Sequence, residues 1–335
     1  MNKKMKNFPI DFVVPWLDST DPEWQKSLQE HKSNSGIYED ATEKRYRDWG
    51  LFKYWFRGVE KYAPWVNKVH LITCGHYPDW LNLDHPKLNF VKHEDYIPAD
   101  YLPTFSSHPI ELNIHQIESL SEHFVYFNDD MFIKAPLKAS DFFKNGLPCD
   151  SGVMQVTSGT GFGKIVLNSS AVMNKYQNKR HMLKSHPLKW FNPKYRKQLL
   201  FNFLLLPWGE FTGFYDYHLP NAFLKSTLNT VWENEYSLLH ETSLRKFRHD
   251  LDVNQYIFRN WQLVNNNFHP VNKHLLGDFC LVGKSPFNEV LSKLNSSKKP
   301  IICLNDHDPE NLDYVIERLV SSFERIFPDK SSFEI

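Results

Sequence analysis

Two carboxylates that follow an apolar segment are the residues of this sequence best suited to chemistry. Residues 124–127 predict a buried strand, and Asn128, Asp129 and Asp130 follow it directly. Paired carboxylates supply the oxygen ligands that Mg²⁺ or Mn²⁺ prefers, and such an ion neutralises charge on a diphosphate. The same residue types also favour turns. Two interpretations therefore remain open here, a metal site formed by Asp129 and Asp130 or an ordinary turn.

Two other patterns lack residues that their motifs require. Residues 159–164 resemble a phosphate-binding loop, but Ser158 replaces its first glycine and Ile165 replaces its Ser or Thr. A flexible turn is the better interpretation. His240 and Glu241 do not begin a zinc-protease motif, because residue 244 is leucine.

The elements that must position the carboxylates alternate between strand and helix. Apolar runs predict strands at 10–16, 68–73, 87–91 and 124–127, helices at 45–63 and 108–120, and a polar loop at 25–44. This order predicts the α/β class, with a mostly parallel, Rossmann-like sheet and helices on both faces. The carboxyl ends of such strands meet at one edge, which would bring Asp18, Thr73 and Gly75 to Asp130. From 207 to about 295 the pattern is mainly helical, and a strand at 300–304 and a helix at 309–327 follow.

Composition excludes several classes of protein. Lys+Arg and Asp+Glu both number 39, and this zero net charge argues against nucleic-acid binding. The four cysteines form no C-x-x-C pair, so a thiolate zinc site or a disulfide framework has little support. The basic start lacks the apolar core of a signal peptide, and the apolar run 199–208 is too short to span a membrane. We therefore expect a soluble protein.

One segment carries a strongly asymmetric charge. Residues 151–209 contain no Asp or Glu but nine basic residues: Lys164, Lys175, Lys179, Arg180, Lys184, Lys189, Lys194, Arg196 and Lys197. The segment is either a solvated helical insertion or a basic face for a polyanion or an anionic membrane.

Four stretches carry distinctive residue combinations. They are 10–18, 45–133, 218–255 and 303–306, and the second includes Arg45-Tyr46-Arg47-Asp48, Leu102-Pro103-Thr104-Phe105-Ser106-Ser107 and Tyr126-Phe127-Asn128-Asp129-Asp130. In this order they resemble the Stealth family of hexose-1-phosphate transferases. That family includes bacterial capsule phosphotransferases and the animal enzyme that places N-acetylglucosamine-1-phosphate on lysosomal glycoproteins.

The resemblance implies specific roles and a domain arrangement. It implies that the catalytic residues are Glu111, Asp130, His218 and Arg248. It also implies that substrate contacts come from Asp18, Arg45, Asp48, Thr73, Gly75, Ser106, Ser107, Asn128 and Asn305. A glycosyltransferase-A-like, nucleotide-sugar-binding half is expected at 1–135, a mainly helical lobe at 136–298, and a C-terminal strand and helix that complete the α/β core at 299–335.

The implied reaction is transfer of hexose-1-phosphate or N-acetylhexosamine-1-phosphate from a UDP-sugar to a glycan hydroxyl, with Mg²⁺ or Mn²⁺ and release of UMP. His218 or Glu111 would be the base. Two alternatives stand beside it: a metal-dependent glycosyltransferase that releases UDP, and a silent carbohydrate-binding module. We expect a cytoplasmic location, either free or in peripheral contact with the anionic inner face of the plasma membrane. The acceptor is a glycan, neutral or polyanionic.

Overall fold

The computed structural model describes residues 8–35 and 46–335. Its strands are β1 Ile10–Pro15, β2 Val69–Thr73, β3 Leu88–Lys92, β4 His123–Tyr126, β5 Met131–Ile133, β6 Phe143–Lys144, β7 Leu147–Asp150, β8 Asn221–Leu224, β9 His269–Pro270, β10 Gly277–Val282 and β11 Ile301–Asp306. Its helices are α1 Pro22–Ser35, α2 Phe52–Tyr62, α3 Ser107–Leu112, α4 Ala139–Phe142, α5 Gly163–Tyr176, α6 Lys179–Ser185, α7 Pro187–Trp190, α8 Leu199–Leu204, α9 Lys225–Asn234, α10 Tyr236–Leu244, α11 Tyr256–Val264, α12 Phe287–Ser296 and α13 Leu312–Ile326.

The central sheet has the strand order β3-β2-β1-β4-β8. Strands β1 to β4 run parallel, and β8 pairs with β4 in the antiparallel sense. In β1, Phe12 and Val14 face one hydrophobic core while Val13 faces the other, and all three are fully buried. Burial on both faces is characteristic of a parallel sheet covered by helices. The predicted α/β class with a mainly parallel sheet is confirmed.

A second sheet lies beside the first and has the order β10-β11-β5. Strand β11 runs parallel to β10 and antiparallel to β5. Helix α2 packs against β5 so closely that a Cβ on Gly58 would lie 2.3 Å from the carbonyl oxygen of Ile133. The C-terminal strand β11 therefore contributes to the hydrophobic core under the central sheet, but it pairs with β10 and β5 and not with a strand of that sheet.

Several predicted elements have different bounds or a different type. Region 207–295, expected to be mainly helical, also contributes β8, β9 and β10. Strand β8 pairs with β4, about 100 residues earlier, and β10 pairs with the next strand, β11. The expected helix at 108–120 ends at Leu112, where the Asn113 side chain donates to the carbonyl of Pro109 (2.8 Å). The expected helix at 45–63 begins at Phe52, and residue 45 lies outside the described residues.

Part of the expected loop at 25–44 is helical, because α1 covers 22–35. The Asp21 carboxylate accepts a hydrogen bond from the Trp24 backbone N–H (2.7 Å), as an N-cap residue does. Trp24 and Leu28, four residues apart, bury one face of the helix. Across the described ranges, no helix combines the length and the apolarity needed to cross a membrane.

Candidate active site

A cleft of about 910 Å³ opens at the carboxyl edge of the central sheet. The ends of β1, β4 and β11 form its floor, and loops before β8 and α11 form its far wall. Predicted site residues that line it are Asp48, Ser107, Glu111, Asn128, Asp129, Asp130, His218, Arg248 and Asn305. The fold thus gathers residues from all four stretches that resemble the family, since residues 15–17 of the first stretch also line the cleft.

The acidic pair lies at the junction of the two sheets. The Leu304 N–H donates to the carbonyl of Asp130 (2.9 Å), and the Asn305 side-chain amide donates to Oδ2 of Asp130 (3.2 Å). The Met131 N–H donates to the carbonyl of Asn128 (3.2 Å), so the segment is also a turn. Both interpretations of the sequence pattern therefore fit the same three residues.

Two acids share this space. Burial, together with the charges of Asp130 and Asp48, raises the pKa of Asp129 to about 7. Among the described residues, no group forms a hydrogen bond with the buried Oδ1 of Asp130. Since a buried carboxylate oxygen without a partner is costly, this oxygen suits a cation ligand, with Asp129 as the neighbouring carboxylate.

His218 is held by a residue that the sequence analysis missed. The His218 N–H donates to Oδ1 of Asp216 (2.8 Å), and its ring Nδ1 lies 3.7 Å from Oδ2 of the same carboxylate. The Tyr256 hydroxyl donates to that Oδ2 (2.8 Å). Burial favours a neutral imidazole, but the adjacent Asp216 carboxylate, together with the charges of Asp130 and Glu111, outweighs burial and raises the pKa of His218. Burial likewise opposes ionisation of Asp216, yet the facing His218 ring lowers its pKa to about 2.

The opposite nitrogen of this ring, Nε2, is buried. Within the ranges 8–35 and 46–335 it has no hydrogen-bond partner. An oxygen of Asp130, a ring nitrogen of His218 and the sulfur of Cys303 lie within 4.8 Å of one another. An aspartate on one side and a free nitrogen on the other is the arrangement of a positioned general base.

Glu111 and Arg248 complete the wall. Glu111 is buried on α3, where its Oε2 accepts from the Gln255 N–H (3.1 Å) and its Oε1 from the Tyr126 hydroxyl (3.5 Å). A terminal nitrogen of Arg248 donates to Oγ of Ser107 (3.0 Å), which leaves most donors of the guanidinium available.

The loop that carries Arg248 is fixed by a buried carboxylate. Asp252 accepts from the His108 ring Nδ1 (2.9 Å), from Arg245 (2.9 Å) and from the His249 N–H (2.8 Å). Asp252 did not stand out in the sequence, because it lies four residues after Arg248 with no motif of its own. Asp216, two residues before His218, offered the clearer signal of a paired acid and base.

Some predicted substrate residues lie away from the cleft wall. Asp18 accepts from the Thr20 N–H (2.8 Å) and hydroxyl (2.6 Å), and Thr73 accepts from the Gly75 N–H (3.0 Å). Gly75 has a φ of +126°, a conformation that favours glycine. These three residues shape turns at the sheet edge, so of the three polar strand ends expected to meet, only that of β4 brings its polar residues to the cleft.

The remaining predicted substrate residues differ in what the structure shows. Ser106 is the N-cap of α3, accepting from the His108 N–H (3.2 Å), and lines an adjoining pocket. Asp48 accepts from the Gly50 N–H (2.8 Å), and burial raises its pKa. Arg45 lies outside the described residues.

That adjoining pocket, of about 160 Å³, has several aromatic side chains in its lining. It is lined by Trp16, Trp24, Tyr46, Phe105 and Phe247, and it shares Ser107, Asp129 and Arg248 with the larger cleft. A pocket with an aromatic lining thus opens directly beside the charged groups.

Comparisons with known proteins identify relatives of this chain. Residues 45–149 match the family model described as Stealth protein CR2, conserved region 2. The chain is 45% identical to the capsular polysaccharide phosphotransferase WcwK of Streptococcus pneumoniae, over 98% of this chain and 99% of that protein. It is 40% identical to the receptor polysaccharide phosphotransferase WefC of Streptococcus oralis, over 97% and 99%.

Two further similarities extend the comparison. The chain is 38% identical to an exopolysaccharide phosphotransferase of Lactiplantibacillus plantarum, over 98% of this chain and 96% of that protein. Among solved structures it is similar to the galactosyltransferase LgtC, with a TM-score of 0.40 at 8% identity over 93% of this chain and 95% of that chain. Full-length identities of 38–45% to named phosphotransferases show that this chain is itself an enzyme of that kind and belongs to the Stealth family.

Proposed function

We propose that the enzyme transfers hexose-1-phosphate, or N-acetylhexosamine-1-phosphate, from a UDP-sugar to a hydroxyl of a glycan during capsule or exopolysaccharide synthesis. The observation that carries the proposal is the convergence of Glu111, Asp130, His218 and Arg248 on one cleft, beside an aromatic pocket. Family membership supports sugar-phosphate transfer as the class of reaction.

The acceptor oxygen attacks the β-phosphorus of the donor, and a new P–O bond forms while the bond from that phosphorus to UMP breaks. The acceptor proton passes to a base on the enzyme. The bond between C1 of the sugar and its oxygen stays intact, so the anomeric configuration is retained. Such a reaction depends on positioning and charge neutralisation more than on covalent catalysis.

The side chains fit these needs. We assign the base to His218, because Asp216 occupies the Nδ1 side of the ring and Nε2 remains free within the cleft. Glu111, already bonded to Gln255 and Tyr126, orients this wall. Arg248 pairs with phosphoryl oxygens through its planar guanidinium.

Asp129 and Asp130 are the residues that would hold Mg²⁺ or Mn²⁺, with Asn305 fixing the orientation of Asp130. The ion, when bound, neutralises charge on the diphosphate. Burial and the neighbouring Asp130 carboxylate raise the pKa of Asp129, and two carboxylates in a buried space are what a cation site requires.

The aromatic pocket is suited to the uracil base. Rings of Trp24, Tyr46, Phe105 and Phe247 line it, and stacking on an aromatic ring contributes about 1–3 kcal/mol per base. Because Asp129 and Arg248 line both cavities, a base in the pocket would place the diphosphate at the acidic pair. We further propose that the protein acts in the cytoplasm, where nucleotide sugars are available.

A nucleotide-release screen tests the proposal. Purified enzyme is incubated with individual UDP-sugars, Mn²⁺ and a capsule-type oligosaccharide, and the nucleotide product is separated by anion-exchange chromatography. The proposal expects UMP from one donor and none from the Asp130→Asn variant. Release of UDP would support the glycosyltransferase alternative, and no turnover with any donor would favour a binding module.

A further inference from the structure

Helix α8 is inverted relative to an ordinary surface helix. Its one fully buried side chain is polar: the Asn202 amide donates to the carbonyls of Gly152 (2.7 Å) and Trp190 (2.6 Å), and its oxygen accepts from the Met154 N–H (2.7 Å). Apolar side chains point outward instead. Surface helices normally place their apolar stripe toward the core.

The outward side chains form what we call the α8 surface, namely Leu200, Phe201, Phe203, Leu204, Leu206 and Trp208. They are exposed by 59, 41, 50, 60, 42 and 56% respectively. Single exposed apolar residues are ordinary, but here six occur within nine consecutive positions, and concentrations of exposed apolar side chains mark interaction sites.

The basic residues of segment 151–209 fall into two groups. Of the nine basic residues at 151–209, five bind within the protein: Lys164 to Asp250, Lys175 to Glu235, Lys179 to the carbonyls of residues 205 and 208, Lys189 to that of residue 266, and Lys194 to that of residue 270. The other four are exposed: Arg180, Lys184, Arg196 and Lys197.

These four basic residues flank the α8 surface. Arg196 and Lys197 immediately precede α8, and Arg180 and Lys184 lie on α6, whose Lys179 contacts residues 205 and 208. The first acidic residue beyond the segment is the exposed Glu210.

We propose that the α8 surface docks on an anionic lipid membrane. Exposed Phe, Leu and Trp side chains enter the boundary between headgroups and acyl chains, while the surrounding basic residues contact anionic headgroups. A second copy of this chain would bring like charges together across a two-fold axis. A polyanionic glycan would use the charges, but it offers little to six outward apolar side chains.

The position of the surface suits the cleft. The ring of Phe201 contacts that of Tyr215 (centroids 6.3 Å apart), and Tyr215 contacts Tyr217 (4.7 Å), which precedes His218. Two ring contacts therefore connect the α8 surface to the residue that precedes His218, so a membrane bound at this surface would lie near the cleft. Lipid binding is a property separate from the proposed reaction. It is measured without turnover, so failure of one proposal leaves the other unaffected.

Vesicle co-sedimentation tests the proposal. Vesicles of phosphatidylcholine with phosphatidylglycerol are compared with phosphatidylcholine alone, at low and high salt. We expect binding to the anionic vesicles only, weakened by salt. Basic residues near such a surface contribute about 1 kcal/mol each, so Arg196→Glu with Lys197→Glu should weaken binding at least about 25-fold. Leu200→Ser with Leu204→Ser should remove the part of vesicle binding that persists at high salt.

Matched controls separate this effect from general changes in charge or hydrophobicity. Lys284→Glu with Lys298→Glu reverses exposed charges elsewhere, and Leu251→Ser with Leu275→Ser removes apolar side chains of similar exposure (59 and 54%). Both controls should bind like the wild type. The proposal is overturned if the wild type does not bind, or if both α8-surface variants bind normally. It is also overturned if the α8-surface variants leave vesicle binding unchanged and alter only the oligomeric state or only the KM for a polyanionic acceptor.

Discussion

Asp216→Asn is the substitution that most directly probes how the cleft prepares its base. It keeps the size of the side chain and one oxygen acceptor but removes the charge that faces Nδ1 of His218 across 3.7 Å. If Asp216 positions and polarises His218, the loss should fall mainly on kcat, since the imidazolium formed during proton transfer loses its partner.

The magnitude follows from the distance and the exposure. Two unit charges 3.7 Å apart interact by about 1 kcal/mol in bulk water and by about 4 kcal/mol at an effective dielectric constant of 20. The two side chains are 29% and 32% exposed, which favours the middle of this range. A loss of about 1.5–3 kcal/mol corresponds to a kcat about 10- to 150-fold lower.

The pH profile gives a readout that a purely structural role would not change. A general base must be neutral, so activity should rise as the pH passes through the raised pKa of His218. Without the carboxylate that raises this pKa, the acidic limb of the kcat profile should move to lower pH. Tyr256→Phe, which removes one hydrogen bond to Asp216 but keeps its charge, should lower kcat less and leave the limb nearly in place.

The assay is steady-state UMP release, with thermal unfolding measured in parallel. Asp216→Glu, which restores the charge, should recover part of kcat and return the limb toward the wild-type pH. A normal kcat in Asp216→Asn would refute the reasoning. An unmoved acidic limb with reduced kcat would refute the role of Asp216 in tuning His218.

Four further results are expected. Asp130→Asn should abolish activity and weaken Mn²⁺ binding by calorimetry while the melting temperature stays near that of the wild type, and excess EDTA should silence the wild type; full activity in EDTA would exclude the metal role. Arg248→Lys should lower kcat about 100-fold with little change in donor KM, because a point charge does not replace a planar fork, and a raised KM alone would contradict this. Because the pKa of Asp129 is about 7, Mn²⁺ affinity should rise between about pH 6 and about pH 8, with proton release in the titration. Arg259→Met strands the buried Asp150, which Arg259 contacts at 2.7 and 2.9 Å, and urea unfolding should show a loss of about 3–5 kcal/mol.

Local patterns in the sequence predict the central sheet well. Every residue at 10–16 except Asp11 is apolar, as is typical of a strand buried on both faces. The residues after 124–127 lie at the carboxyl edge of the sheet, because parallel strands end at the same edge. The acidic pair was therefore predictable as part of a site.

Pairing between distant segments was not predictable from local patterns. β5 and β11 pair although about 170 residues separate them, and β8 is a four-residue strand within a helical region. The partner of Asp130 depends on the first of these pairings, because Asn305 lies near the end of β11. Asp18 and Thr73 were expected at the cleft from the same edge argument, but short turns return their side chains to the backbone.

Charge counting and structure diverge in the basic segment. Nine basic residues suggest one continuous face, yet five of them bind carbonyls or carboxylates of the protein. The sequence could not show that Asn202 turns inward and the neighbouring Phe and Leu residues outward, because a short helix of apolar residues ordinarily packs in a core.

Following the β-phosphorus tests the central claim most directly. A UDP-sugar that supports turnover is labelled with ³²P in its β-phosphate and incubated with the enzyme and an acceptor oligosaccharide, and the products are separated into glycan and nucleotide fractions. Sugar-phosphate transfer predicts that the label appears in the glycan and that the nucleotide released is unlabelled UMP. Label that stays in the nucleotide, as UDP, would contradict the account.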